Sequence, residues 1–83
     1  MKHKLYFYTK NNCLLCDEAR AILSLFQSDY NFEIIEQDIN EDSVLLERYF
    51  LEIPVIKIDN EEVNAKNFNY ETVEKFLNKH FSR

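Results

Sequence analysis

The chain of 83 residues contains no glycine and only one proline. Glycine lets a backbone approach a phosphate closely, so its absence excludes a glycine-rich phosphate loop and a dinucleotide-binding fingerprint. We therefore expect no nucleotide cofactor. Turns that require a positive φ must instead use Asn or Asp, the residues that tolerate the left-handed conformation best after glycine.

Basic residues are also few, with 10 Lys and Arg against 15 Asp and Glu and a formal net charge of −5. No basic stripe is interleaved with aromatic residues, so we expect no nucleic-acid partner. The apolar run at residues 5–8 is too short for a signal peptide. No segment approaches the ~20 apolar residues of a membrane span. We expect a cytoplasmic protein with no membrane partner.

The length suits one domain, because typical domains run to roughly 100 to 150 residues and so short a chain can build only one core. Seven Phe and five Tyr provide large side chains for that core. We therefore expect residues 1–83 to form a single domain, which acts as a monomer.

Hydrophobic periodicity predicts strands at 4–9, 32–36, 53–58 and 63–65, and helices that start beside Cys13, at about 41 and at about 70. The second helix should end near residue 50 and the third near residue 81. The order is β-α-β-α-β-β-α, in which the first crossover is parallel and the last hairpin antiparallel. This pattern predicts an α/β fold, a four-stranded mixed sheet with helices on both faces.

Polar residues mark the predicted helix start and the hairpin turn. Asn11 or Asn12 is expected to cap the first helix, and Asn60 is expected to take the left-handed conformation in the turn at 59–62. The first helix has its apolar residues at helical spacing: Leu15, Ala19, Ile22, Leu23 and Phe26.

The two cysteines, Cys13 and Cys16, are separated by two residues at the predicted start of this helix. Cys13 is predicted to be the nucleophile, because a helix N-terminus offers free N–H groups and positive potential that favour a thiolate. Cys16, one turn further in, is predicted to be more shielded and to act as the resolving thiol. The charge of Lys10 would assist the thiolate.

A zinc site is the main alternative reading of a Cys-x-x-Cys pair. It needs two more ligands, and there is no second cysteine pair. His3 and His80 would both have to converge on the cysteines. We therefore predict no metal site.

Residues 8–16 and 53–56 resemble the active-site and proline segments of glutaredoxins, and the likeness spans nearly the whole chain. The chain is most similar to small bacterial glutaredoxin-like proteins with Cys-x-Leu-Cys followed by Asp or Glu. The resemblance implies a thioredoxin fold and a disulfide oxidoreductase that reduces protein or low-molecular-weight disulfides. It also implies electron supply from glutathione or a reductase, with glutathione as a co-substrate and no bound cofactor.

The resemblance also implies roles for four further residues. Pro54 would be a cis-proline that faces the cysteines, and the backbone of Ile53 would hydrogen-bond a peptide or glutathione. Lys10 would meet a glutathione carboxylate, and Tyr8 would belong to the same substrate-binding set.

Two features depart from the glutaredoxin pattern. The Gly-Gly turn expected before the last helix is replaced by residues 65–71, which contain no glycine. Leu14 and Leu15 replace a proline-aromatic pair and make the rim of the site more apolar, which suits a protein partner. A thioredoxin-fold binding module, with the cysteine pair as a redox switch or metal site, is the alternative function.

Overall fold

The computed structural model describes residues 3–81. Its strands are β1 (His3–Thr9), β2 (Phe32–Asp38), β3 (Val55–Ile58) and β4 (Glu61–Val63), and its helices are α1 (Leu14–Phe26), α2 (Ser43–Tyr49) and α3 (Tyr70–His80). The sheet order is β2-β1-β3-β4. β1 and β2 are parallel, and the other two pairs are antiparallel. The predicted α/β fold with a mixed four-stranded sheet is thus confirmed.

The core lies on both faces of the sheet because strand side chains alternate between the faces. Leu5 and Phe7 are fully buried in the larger cluster, which includes residues of α1 and α3. Tyr8 belongs to a smaller cluster with Tyr49 of α2. Tyr6, on the same face of β1 as Tyr8, is 38% exposed. The seven residues of α2 cover only part of that face.

The second helix starts later than the sequence predicts. Residues Ile39–Glu41 form a separate 3₁₀ turn, and α2 follows at Ser43–Tyr49. Asp42 begins the helix because its side chain accepts hydrogen bonds from the N–H groups of Val44 and Leu45, at 2.9 and 3.2 Å.

The hairpin also differs from its predicted boundaries of 53–58 and 63–65. Ile58 pairs with Glu61, so the turn consists of two residues and β4 starts at Glu61. The left-handed residue is Asp59, with φ 54°, rather than Asn60. Ile53 and Pro54 stand before β3, as expected for a proline that has no N–H to donate to a ladder.

The last helix spans Tyr70–His80, close to the predicted 70–81. The side chain of Asn69 caps it by accepting from the N–H of Thr72 at 2.9 Å. Over residues 3–81, none of the helices combines the length and the apolar character that crossing a bilayer requires.

Candidate functional site

The turn between β1 and α1 places both cysteines at the N-terminus of a helix. Asn12 takes φ 56°, and Cys13 follows in an extended conformation as the N-cap of α1. The prediction that Asn11 or Asn12 caps the helix is wrong. Sγ of Cys13 accepts the cap hydrogen bond from the N–H of Cys16 at 3.1 Å, and Asn12 supplies the positive φ of the turn. Asn12 and Asp59 are the described residues with positive φ, which confirms that Asn and Asp take these positions in a chain without glycine.

Cys13 and Cys16 are joined by a disulfide, with their Cα atoms 5.2 Å apart. Cys13 is partly exposed, whereas Cys16 is 1% exposed. Cys13 is therefore the more accessible residue of the pair.

The environment of Sγ of Cys13 favours negative charge. It receives the N–H of Cys16 and lies at the positive end of the α1 dipole. Such surroundings stabilise a thiolate relative to a thiol, and the thiolate is the reactive form in disulfide exchange.

A groove of about 60 Å³, lined by Glu18 as well as by apolar residues, lies between α1 and the proline segment. Leu15, Ala19 and Ile22 of α1 form one wall, and Pro54 and Phe68 line the groove from the rest of the chain. Leu15 is 56% exposed and is thus a rim residue, although its spacing on the helix matches the core stripe. Leu14, between the cysteines, is 72% exposed.

The proline segment precedes β3 and is bonded to the end of α2. The Ile53–Pro54 peptide bond is cis, and Pro54 lies in the groove beside α1. The N–H of Ile53, however, donates to the carbonyl of Tyr49 at 3.2 Å. The hydrogen bonding of a peptide or glutathione by the Ile53 backbone stays a prediction, and the N–H of Ile53 already has this partner within the chain.

The ring of Tyr8 is part of the core under α2. It is 6% exposed and stacks on Tyr49 with ring centroids 4.7 Å apart. Burial raises the pKa of Tyr8 above its ordinary value. The ring is thus packed against Tyr49, and the place of Tyr8 in the substrate-binding set stays a prediction.

Lys10 is exposed on the loop before Cys13 and lines a concave surface beside it. Arg20, Asp17 and Glu36 line the same surface. Arg20 contacts both carboxylates, and its hydrogen bonds hold the pKa of Glu36 below the ordinary value. The sequence reasoning missed Arg20 and Glu36. The only signal available was the spacing of Arg20 one helical turn after Cys16.

The two histidines are at another part of the molecule. His3 stacks on Phe81, and Nε2 of His80 lies 2.7 Å from a carboxylate oxygen of Glu61. Within residues 3–81 no group of three or more His, Cys, Asp or Glu side chains is arranged to hold a metal ion. The zinc site that would need both histidines is not assembled.

The segment that replaces the Gly-Gly turn is a 3₁₀ turn at Ala65–Asn67. The side chain of Asn64 caps it by accepting from the N–H of Lys66 at 3.0 Å. Phe68 follows and packs against the main core. This segment thus has a side-chain cap and an apolar anchor where the glutaredoxin pattern has two glycines.

Comparison with known proteins bears on the family and the fold. A family model described as "Glutaredoxin-like domain (DUF836)" matches residues 4–78. The structure of XcR50 from X. campestris is 24% identical, with a TM-score of 0.77 over 90% of this chain and 96% of that one. The thioredoxin-like protein BC3987 is 27% identical, with a TM-score of 0.60 over 88% and 99%.

A third solved structure is that of the glutaredoxin-like protein NrdH-redoxin from Escherichia coli, whose description refers to a thioredoxin-like activity profile. It is 14% identical, with a TM-score of 0.61 over 87% of this chain and 92% of that one. Together these likenesses confirm the thioredoxin-like fold implied by the cysteine and proline segments.

Proposed function

The chain belongs to the glutaredoxin-like domain family, and on that premise we propose that it is a dithiol-disulfide oxidoreductase with Cys13 as nucleophile and Cys16 as resolving thiol. The observation that carries the proposal is the asymmetry of the pair. Cys13 is partly exposed and caps α1, whereas Cys16 is 1% exposed and supplies the N–H that bonds the Cys13 sulfur.

In the first step, the Cys13 thiolate attacks one sulfur of a substrate disulfide. A bond forms between Cys13 and that sulfur, and the other substrate sulfur leaves as a thiolate that takes a proton from water. In the second step, the Cys16 thiolate attacks Sγ of Cys13, which closes the Cys13–Cys16 disulfide and releases the second substrate thiolate. The substrate gains two electrons, and the cysteine pair loses two.

We propose a protein disulfide as the substrate. Leu14 and Leu15 are 72% and 56% exposed at the site, and Leu51, in the loop before Pro54, is 83% exposed. Exposed apolar residues around a reactive pair suit a partner that buries them. The capped turn at Ala65–Asn67, without glycine, supports this choice over glutathione as the molecule held in the groove. The carbonyl of Ile53 and the ammonium of Lys10 are proposed to position the bound segment.

We propose that glutathione or a reductase returns the pair to the dithiol and that the protein works as a monomer in the cytoplasm. A reducing compartment suits this role, because paired cysteines there are more often catalytic than structural. The protein would then pass electrons from a general reductant to protein disulfides.

Trapping experiments test the roles of the two cysteines. Cys16→Ser should hold a protein disulfide substrate as a stable mixed disulfide on Cys13, whereas Cys13→Ser should trap nothing and lose turnover. Ser24→Ala, an exposed change on α1 that leaves the cysteines intact, is the control and should turn over like the wild type.

The reduction potential of the pair is the second test. We expect reversible disulfide formation in glutathione buffers with a potential of about −200 mV or lower, in the range of glutaredoxins and thioredoxin. Failure to form the disulfide at any glutathione ratio would refute the dithiol mechanism. Retention of a partner by Cys13→Ser and Cys16→Ser alike, without turnover in the wild type, would instead identify a binding module.

A further inference from the structure

The surface beside the cysteine loop is strongly acidic. The concave surface lined by Lys10 also has four carboxylates in its lining: Asp17, Glu36, Asp38 and Glu41. Arg20 and Lys10 are the cations in this lining. Negative charge next to the cysteines opposes formation of a thiolate, because like charges raise the free energy of the ionised form.

Arg20 is held at this surface by contacts on several sides. One terminal nitrogen lies 2.8 Å from Oδ1 of Asp17, and Nε donates to Oε1 of Glu36 at 3.0 Å. The central carbon of the guanidinium lies 5.7 Å from the ring centroid of Phe7. Glu36 is itself fixed, because the hydroxyl of Thr9 donates to Oε2 at 3.0 Å. The cation is therefore bound in one position.

Arg20 and Cys16 are on the same side of α1. They are four residues apart within Leu14–Phe26, and residues with this spacing have Cβ atoms about 5 to 6 Å apart. Asp17 directly follows Cys16. The Arg20 guanidinium, which contacts Asp17 and Glu36, is therefore carried by the same side of α1 as Cys16.

We infer that Arg20 is a positioning residue for the resolving step, because its charge compensates the acidic surface and allows Cys16 to ionise when it attacks the mixed disulfide. The inference rests on the proposed function. In this step the Cys16 thiol gives its proton to water, its sulfur bonds to Sγ of Cys13, and the bond from Cys13 to the substrate breaks. The substrate sulfur leaves with the electron pair and is protonated by water.

The size of the effect follows from the charge separation. We take the charge separation as about 6 Å, the general Cβ spacing of residues four apart on a helix; at an effective dielectric constant of about 40 to 80, a unit charge at that distance changes the thiolate fraction about three- to tenfold. Arg20→Gln should therefore slow resolution about three- to tenfold at neutral pH and shift its pH profile upward. Arg20→Lys, which keeps the charge, should restore most of the rate.

Asp17→Asn provides a test of opposite sign. This variant removes one of the negative charges that oppose the Cys16 thiolate, while the positive charge of Arg20 remains. The thiolate should therefore form more readily, and resolution should become faster. A purely structural disturbance of the Arg20 contacts would slow both variants. Arg48→Gln, which removes an equal charge from an exposed side chain on α2, should leave the rate unchanged.

An aromatic disulfide reporter separates the two steps. The first equivalent of released aromatic thiolate reports attack by Cys13, and the second reports resolution by Cys16. The inference is overturned if Arg20→Gln resolves at the wild-type rate, or if Asp17→Asn and Arg20→Lys are both as slow as Arg20→Gln.

A second measurement separates failure of the inference from failure of the proposed function. Thiolate absorbance in the ultraviolet, followed against pH in reduced proteins that also carry Cys13→Ser, reports ionisation of Cys16 without any turnover. If the wild type releases no second equivalent, the dithiol mechanism fails. The absorbance then still decides whether Arg20→Gln lowers, and Asp17→Asn raises, the thiolate fraction.

Discussion

Removal of the Tyr49 hydroxyl should change how stability depends on alkaline pH. Tyr49 is 2% exposed and its hydroxyl donates to Glu62. Burial, followed by this hydrogen bond, raises the pKa of Tyr49 from its ordinary 10.0 to about 12. Between these values the unfolded chain loses the proton and the folded chain keeps it. Stability therefore falls as pH rises through this window, by about 2.7 kcal/mol in total.

Tyr49→Phe has no hydroxyl at this position to titrate, so its stability lacks the part that falls between about pH 10 and 12. At pH 7 the variant should be less stable by about 1 kcal/mol, the usual net value of one hydrogen bond. Above pH 10 the free energy of unfolding of the wild type falls, so its advantage over the variant should narrow. By about pH 12 the variant should be the more stable of the two. Urea unfolding at a series of pH values measures both curves. Tyr70→Phe, which removes the hydroxyl of a ring that is 49% exposed, is the control and should keep the wild-type slope. Parallel curves for Tyr49→Phe and the wild type from pH 7 to 12 would refute the argument.

Three further predictions concern single side chains. Asp42→Ala removes the N-cap of α2 and should cost about 1 kcal/mol in denaturant unfolding, whereas an unchanged midpoint would show that the cap contributes nothing. Asp59→Val should lower stability by about 1 to 2 kcal/mol because a β-branched residue resists φ 54°, and Asp59→Gly should not, so equal losses would contradict the strain argument. Glu36, whose pKa is lowered first by Arg20, stabilises the fold above its ordinary pKa and loses this effect as pH falls through the folded pKa. Glu36→Gln should therefore flatten the acid side of the stability curve, and an unaltered acid slope would exclude that contribution.

Much of the fold could be predicted from local features. Strand and helix order follows from hydrophobic period, and a more exposed first cysteine follows from a Cys-x-x-Cys pair at a helix start. The choice of cap could not be predicted in the same way. Whether Asn12 or Cys13 begins α1 depends on the path of the loop from β1, and several nearby side chains could accept the same hydrogen bond.

The hairpin shows a related limit. Residues 59–62 contain three acidic residues and Asn60, and composition alone favours Asn at the left-handed position. The pairing of Ile58 with Glu61 places Asp59 there instead. A shift of one residue in a strand reverses which face each side chain meets, so register is set by the buried faces of both strands.

The amino-acid sequence by itself determined the class of fold, the spacing of the cysteine pair at a helix start and the use of Asn and Asp in place of glycine, because each depends on residue type and short spacing. Only the tertiary structure decided that Tyr8 packs under α2, that the N–H of Ile53 is already bonded and that Arg20 meets Glu36. These contacts join separate elements, as in the 27-residue separation of Thr9 and Glu36. Such pairs meet only after the sheet has brought its strands into register, so no local pattern in the chain contains them.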